Sequence, residues 1–452
     1  MHTDILIAEI GSTTTVVNAF TLSPPKFIGQ GMAATTVSFD SGGDVRIGLQ
    51  NAIKDLERNL NLSAPLKYGE MLAASSAAGG LKMCVHGLVY DMTVRAAKEA
   101  ALGAGAVLKV VTAGKLTDRD VKKVQEQNAG IILVAGGMDY GERETAVFNF
   151  TRLAEACPAV PFIYAGNIQN RDEILSVAQQ KGVKVYITDN VYPAVDVLNV
   201  EPARAIIQDV FEQHITHAPG MGDIKQLVGG KIMPTPGAVM TAARLLYEEI
   251  GDLAVFDVGG ATTDVHSVSV GSPEIGAMSL APEPLCKRTV EGDLGVFLNI
   301  PHIVEKIGLT ELEREFAGAA DLIKNAKAIP VTDIERRFIG RLTAAAVATA
   351  LSRHAGKLTD FYTPAGKKTV ATGRDLTAVK YLIATGGALT RLPYGGEILK
   401  DVLEPKSSQR LAPREGARVL IDNDYIMASL GVMSAVYPDE ALVLLKKSLN
   451  IL

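Results

Sequence analysis

Glu9 and Asp257 each sit at the end of an apolar run, and each is followed two residues later by a glycine and then by hydroxyl residues. The stretches are AEIGSTTT (residues 8–15) and FDVGGATTD (residues 256–264). A third, IATGGAL (residues 383–389), has the apolar run and a glycine pair without the acid. In the first, Gly11 lets the chain turn while Ser12, Thr13 and Thr14 set hydroxyls beside successive amides, a donor set that holds phosphate oxygens. The second repeats the pattern, with Gly259 and Gly260 admitting a terminal phosphate and Thr262 and Thr263 supplying hydroxyls. Glu9 and Asp257, brought face to face, suit a hydrated Mg2+. Such a pair can orient water for attack on a terminal phosphate, a catalysis of positioning and electrostatics. Gly386 and Gly387 expose backbone suited to a purine and ribose edge. Each stretch also has a plainer reading, as a β-hairpin with threonine chosen for its strand propensity or as a common strand-to-helix turn. Taken in order, the three point to one ATP pocket assembled from two halves of the chain.

The elements that must position these loops are legible in the flanking residues. Residues 4–10 read as a strand entering a tight turn, and residues 16–20 as its hairpin partner. Helical periodicity follows over residues 46–60. From about residue 71 the texture changes: strand-like runs at 107–111, 131–135, 162–165 and 183–187 alternate with helix-like segments, clearest at 118–127 and 172–180. That alternation predicts βαβ units and a parallel sheet inserted over residues 71–200. Residues 1–70 with 201–250 then form a first ATPase domain, and residues 251–452 a second. In the insert, the strand tails AGGMDYGE (residues 135–142) and AGNIQN (residues 165–170) would line the carboxyl edge of the sheet, where ligands and partners bind; glycines serving only the βα turns explain them as well. A linking helix is expected over residues 235–249, with Pro236 in its first turn, and a closing helix over residues 424–436. The small residues of that closing helix suit a close crossing between domains.

Composition bounds the rest. With 452 residues, 47% of them hydrophobic, and 43 glycines, the chain has ample material for two or more α/β domains. A net charge of -5 gives no electrostatic case for nucleic acid or an anionic membrane. No apolar run reaches the ~18 residues of a spanning helix, and the alanine-rich stretch at 343–351 reads as a packed helix. The first residues, MHTDILIAEI, lack the basic region of a signal peptide. Cys84, Cys157 and Cys286 are scattered, with neither a disulfide framework nor a CxxC pair. A soluble, cytoplasmic protein is the expectation. No GxxxxGK or HExxH occurs. LGAGAV (residues 102–107) lacks the full dinucleotide fingerprint and is expected to be a loop, while His214 and His217 have nothing nearby to complete a metal site.

The order of first phosphate loop, linking helix, second phosphate loop, adenosine loop and closing helix resembles the actin, Hsp70 and sugar-kinase superfamily. Its fold is α/β, with two related ribonuclease H-like domains around a nucleotide cleft. That superfamily normally opens its first loop with Asp, where this chain has Glu9, so nucleotide binding is a firmer expectation than brisk hydrolysis. A closer resemblance runs through IAEIGSTTT, AASSAAGGLKM (residues 73–83), ILVAGGMDYGE, TDNVYP (residues 188–193) and FDVGGATTDVHSV. These stretches are similar to those of the glutamate mutase accessory family, labelled MutL and unrelated to the mismatch-repair protein of that name. Met138, Asp139 and Tyr140 stand where Thr-Asp-Gly would be expected. The resemblance implies ATP and Mg2+ as cofactors, weak ATPase activity, and a reactivating chaperone role toward an adenosylcobalamin-dependent mutase such as glutamate mutase. It leaves a homodimer open. Two alternatives share the fold: a small-metabolite kinase or ATP-dependent hydrolase, and a nucleotide-gated binding protein with negligible turnover.

Overall fold

The structure is a computed structural model that describes residues 2–36, 44–76, 81–215, 221–228, 232–363, 366–403 and 409–451. Two five-stranded sheets carry the same topology in the two halves of the chain. The first has β1 (His2–Ile10), β2 (Thr14–Leu22), β3 (Pro25–Ala34), β4 (Lys67–Ser75) and, further along the chain, β10 (Ile232–Pro234), in the order β10-β4-β1-β2-β3. The second has β11 (Leu253–Val258), β12 (Thr263–Val268), β13 (Cys286–Glu291), β16 (Tyr381–Thr385) and β17 (Arg418–Ile421), in the order β13-β12-β11-β16-β17. In both, a meander of three antiparallel strands is followed by two strands parallel to the first. That duplicated order is the actin-like, ribonuclease H-like architecture the motifs implied.

Between β4 and β10 lies a third sheet, of β5 (Lys82–Gly87), β6 (Val107–Ala113), β7 (Ile131–Val134), β8 (Phe162–Tyr164) and β9 (Val185–Ile187). It is wholly parallel, in the order β6-β5-β7-β8-β9. Its central strands β5, β7 and β8 are short runs buried on both faces, as parallel sheets require, while the edge strands β6 and β9 are partly exposed. The expected helices appear at Asp118–Glu126, which a Thr117–Asp120 capping box starts, and at Arg171–Lys181, which Gly182 ends in a left-handed conformation. The span 71–200 opens inside β4, whose residues Met71 to Ser75 pair with β1 in the first sheet. Of the stretch 73–83, residues 77–80 lie outside the described residues, as does His217. Residues 102–107 are not a plain loop: Leu102 and Gly103 end the helix Arg95–Gly103, and Val107 begins β6. A hairpin, β14 (Lys357–Thr363) and β15 (Gly366–Thr372), completes the strands.

The helix Thr235–Ile250 and the helix Met427–Met433 cross between the halves, packing Ala238, Val239, Ala242 and Leu246 against Met427, Ala428 and Leu430. A Cβ at Gly431 would collide with the Ala238 carbonyl, so the small residue sets how closely these helices approach. The closing helix starts at Met427, later than its periodicity predicts, because Tyr425 stands at φ +54°, outside the helical region; the Asp422 carboxylate accepts the amides of Ile426 (3.1 Å) and Met427 (2.8 Å) beyond that break. The alanine-rich stretch lies within the helix Asp333–His354, where Ala346, Val347 and Ala350 join the core of the second half. No described helix is long and apolar enough to cross a membrane.

Candidate functional site

The two acid-bearing loops fold into matching hairpins. Gly11 donates its amide to the Thr14 carbonyl at 3.0 Å, and Gly259 donates to Thr262 at 2.9 Å. Ile10 pairs with Thr15 in one hairpin and Val258 with Thr263 in the other, so Glu9 and Asp257 occupy the same register position, one residue before each turn. The first turn position is crowded in the first hairpin and roomier in the second, where a Cβ at Gly259 would lie 3.6 Å from the Thr262 carbonyl oxygen. A Cβ at Gly11 would come within 2.6 Å of the Thr14 carbonyl oxygen. The two tips meet across the halves: a Cβ at Gly260 would lie 3.4 Å from the Thr13 hydroxyl. Ser12 is exposed, while Gly11, Thr13, Thr14, Gly259, Gly260 and Thr262 are partly exposed and open to a ligand; Thr263 is buried and donates to the Leu294 carbonyl.

The third loop joins this pair. Gly386 follows β16 at φ +82°, in the left-handed region, and a Cβ there would press on Asp257 Oδ1 and lie 2.6 Å from the Val258 amide nitrogen. Gly387 opens the helix Gly387–Thr390, and a Cβ built on it would meet nothing within 4 Å. One glycine is thus packed hard against the second hairpin while its neighbour faces open space.

Three carboxylates converge here, two expected and one not. Glu9 is buried, and its Oε1 accepts the Ser429 amide at 2.9 Å, the Ser429 hydroxyl, and Asn18 Nδ2 at 3.4 Å. Burial pushes the Glu9 carboxyl up to about 7; the bond from the Ser429 hydroxyl lowers it in part, and the nearby charges of Asp422 and Asp257 raise it. Asp257, partly buried, is also pushed up to about 7, by desolvation first and by the charge of Asp264, with Arg288 opposing and Asp422 adding to the rise. Asp422, beyond the end of β17, accepts from Thr385 Oγ1 at 3.0 Å and from Ser448 Oγ at 2.7 Å. Burial, with the charges of all three acids, also drives the Tyr425 phenol upward. Clustered, desolvated carboxylates of this kind favour a proton or a cation. No group of three or more His, Cys, Asp or Glu side chains placed to hold a metal ion occurs among the described residues.

Several residues here carried no sequence signal. Gln30 donates to Asn18 Oδ1 (2.8 Å) and to the Tyr425 carbonyl (3.2 Å); Arg391 bonds Gln30 and packs over the Tyr425 ring at 5.6 Å. Together they join β3 of the first half to the segment before the closing helix of the second. Only Asp422, three polar residues ahead of an apolar helix, had a readable signature, that of a helix start. Asp264 ties down the second hairpin: it accepts from Thr262 Oγ1 at 3.1 Å and from Arg288 at 2.8 Å.

Comparison with known proteins agrees with the resemblance in the motifs. Among solved structures, the nucleotide-free acetone carboxylase is similar at 12% identity and a TM-score of 0.38, over 96% of this chain and 70% of that one. The nucleotide-free diol dehydratase-reactivating factor is similar at 11% identity and a TM-score of 0.34, over 96% of this chain and all (100%) of that one. These likenesses are slight and nothing below rests on them. In sequence, the chain is 36% identical over 461 residues to Protein MutL of Clostridium tetanomorphum, covering 98% of each. The family model described as MutL protein matches residues 5–449. Matched from end to end in both ways, the chain belongs to the MutL protein family.

Proposed function

We propose that the chain binds ATP with Mg2+ in the cleft between its two duplicated sheets and hydrolyses it slowly, as an accessory chaperone that reactivates an adenosylcobalamin-dependent mutase such as glutamate mutase. The observation that carries the nucleotide half is the pair of matching hairpins, one from each half, with Glu9 and Asp257 at equivalent positions and the tips in contact. Phosphates held by Gly11, Ser12, Thr13 and Thr14 on one side and by Gly259, Gly260 and Thr262 on the other would bind both halves at once; Thr263, expected among them, is buried with its hydroxyl committed to the Leu294 carbonyl and takes no part. The open face at Gly387, beside Gly386, accommodates the adenosine. Mg2+, when bound, would neutralise charge on the phosphates and the carboxylates; Asp257 and Glu9 are the residues to hold it through water. In the cleft, Asp257 orients water toward the terminal phosphate and the hairpin amides stabilise the charge that develops there. Closure biased by the terminal phosphate then supplies the work of opening a partner.

The mutase half of the reading rests on family membership. The inserted parallel sheet supplies a surface for the partner: Tyr140, Ile168 and Val195 are exposed on or beyond loops at the carboxyl ends of its strands. Those loops are held firm beneath, Asn167 Oδ1 accepting the Tyr140 amide at 3.2 Å and Asn190 donating to Asp139 at 3.0 Å. Rigid loops carrying apolar and aromatic groups are what protein interfaces use as anchors. One observation favours the nucleotide-gated binder with negligible turnover: Glu9 Oε1 is already committed to Ser429 and Asn18. ATP turnover measured with and without a cobalamin-inactivated mutase separates the readings. Stimulated turnover with recovered mutase activity supports the chaperone, and Mg2+-dependent binding without turnover supports the binder. Stimulation by a small acid or sugar alone would point to a kinase.

A further inference from the structure

The second hairpin is connected to the inserted sheet by a chain of hydrogen bonds that the nucleotide reading does not use. On β12, Asp264 Oδ2 accepts the Thr262 hydroxyl at 3.1 Å. Its Oδ1 accepts Nε (3.1 Å) and Nη2 (2.8 Å) of Arg288, which lies diagonally across on β13. The third arm of that guanidinium, Nη1, donates to the Leu102 carbonyl at 3.1 Å. Leu102 is in the last turn of the helix Arg95–Gly103, and its carbonyl also accepts the Gly105 amide at 3.0 Å, so Arg288 bonds the helix end at an already fixed point. That helix follows β5 of the inserted sheet. Asp264 and Arg288 are both buried, so the pair is held in place by its own bonds.

The same helix is gripped elsewhere from the second half. Arg95 pairs with Glu283 at 2.8 Å, and Lys287 pairs with Glu283 at 2.7 Å and Glu99 at 3.5 Å. β13 and the segment before it thus hold the helix at several points along its length.

A threonine hydroxyl has a single proton to donate. Thr262 can give it to Asp264 or to a phosphate oxygen, and giving it to phosphate leaves Asp264 held by Arg288 alone. We propose that Arg288 is a positioning residue, which ties the state of the second phosphate hairpin to the seating of the inserted sheet through Thr262, Asp264 and the Leu102 carbonyl. The inference rests on the nucleotide reading above and adds to it the route by which a bound phosphate reaches the surface offered to the partner. A lysine at this position could pair with Asp264 but could not reach the Leu102 carbonyl at the same time.

The test is hydrogen exchange of the full chain with and without a non-hydrolysable ATP analogue and Mg2+, with binding followed separately by calorimetry. In the wild type the ligand should change amide exchange across residues 95–106 by about fivefold or more, the low end of measured couplings between sites. In Arg288→Lys the analogue should still bind, with the change at 95–106 reduced to less than about twofold. Should Arg288→Lys not fold, the double variant Asp264→Asn/Arg288→Met, which leaves no lone buried charge, is read in its place and should show the same loss. Binding to the wild type with unchanged exchange at 95–106, or a variant that transmits at wild-type strength, overturns the role of Arg288 alone. Absence of binding to the wild type overturns the nucleotide reading, and this inference with it.

Discussion

The buried Glu9 carboxyl makes a signed prediction about stability. Its folded pKa of about 7 lies above the ordinary value of 4.5. The native state therefore holds that proton more tightly than the unfolded chain does. Its contribution to stability is complete below pH 4.5 and is lost as pH rises through about 7. At about 1.36 kcal/mol per unit of pKa, the whole effect is on the order of 3 kcal/mol, most of it falling between about pH 5 and pH 8. The wild-type curve alone does not isolate this, because burial lowers the pKa values of His86, His266 and His354 and so costs stability in the opposite direction, as pH falls. Subtracting the curve of Glu9→Gln removes those contributions. The amide oxygen of glutamine can still accept from Ser429 and Asn18, and any loss of packing is a constant offset. Urea unfolding should be followed by circular dichroism, since the chain has no tryptophan to report by fluorescence. The advantage of wild type over Glu9→Gln should shrink by roughly 2–3 kcal/mol from pH 5 to pH 8. Saturating Mg2+ and ATP should flatten that slope, because a cation takes the place of the proton. Difference curves that stay parallel within about 0.5 kcal/mol, or that diverge in favour of wild type at high pH, would refute the burial of an uncompensated carboxyl at position 9.

Four further outcomes test the site and the helix crossing. Asp257→Ala should abolish Mg2+-dependent ATP hydrolysis while its thermal unfolding stays cooperative; unchanged turnover removes Asp257 from the chemistry. Gly387→Val should leave the fold intact, its Cβ meeting nothing within 4 Å, yet weaken ATP by tenfold or more (about 1.4 kcal/mol). Full-strength binding measured by calorimetry would place the adenosine elsewhere. Its neighbour should behave in the opposite way: Gly386→Ala, at φ +82° and against the Val258 backbone, should lower stability by about 2 kcal/mol or more before any ligand is added. Gly431→Val should push apart the helices Thr235–Ile250 and Met427–Met433, costing about 1–3 kcal/mol, and an unshifted melting temperature would show that the crossing is looser than described.

Local chemistry made much of this legible in advance. Gly11 marks a turn that few other residues could make, and Gly259 repeats its place after the second acid, so both hairpins and the equivalence of Glu9 with Asp257 follow from the order of residues alone. The alternation of short apolar runs with polar helices likewise announces the parallel insert, because its central strands β5, β7 and β8 are buried on both faces. Where the reading missed, the cause was long-range. Nothing near Met71 says that β4 pairs with β1 rather than opening the insert, since both sheets ask for the same buried strand. The closing helix begins late because Tyr425 takes a left-handed backbone, held by Asp422 through the Ile426 and Met427 amides.

The sequence by itself determined the three loops, their turns and the acids beside them, because a tight turn and its hydrogen bonds are satisfied within a few residues. The tertiary structure alone decided what those acids experience. Glu9 meets Ser429 420 positions away, Asp257 acquires Asp422 as a neighbour, and Arg288 joins Asp264 to a carbonyl 186 positions distant. Burial and charge act through space, and the sharing of a carboxylate between two halves of a chain leaves no trace in the order of its residues.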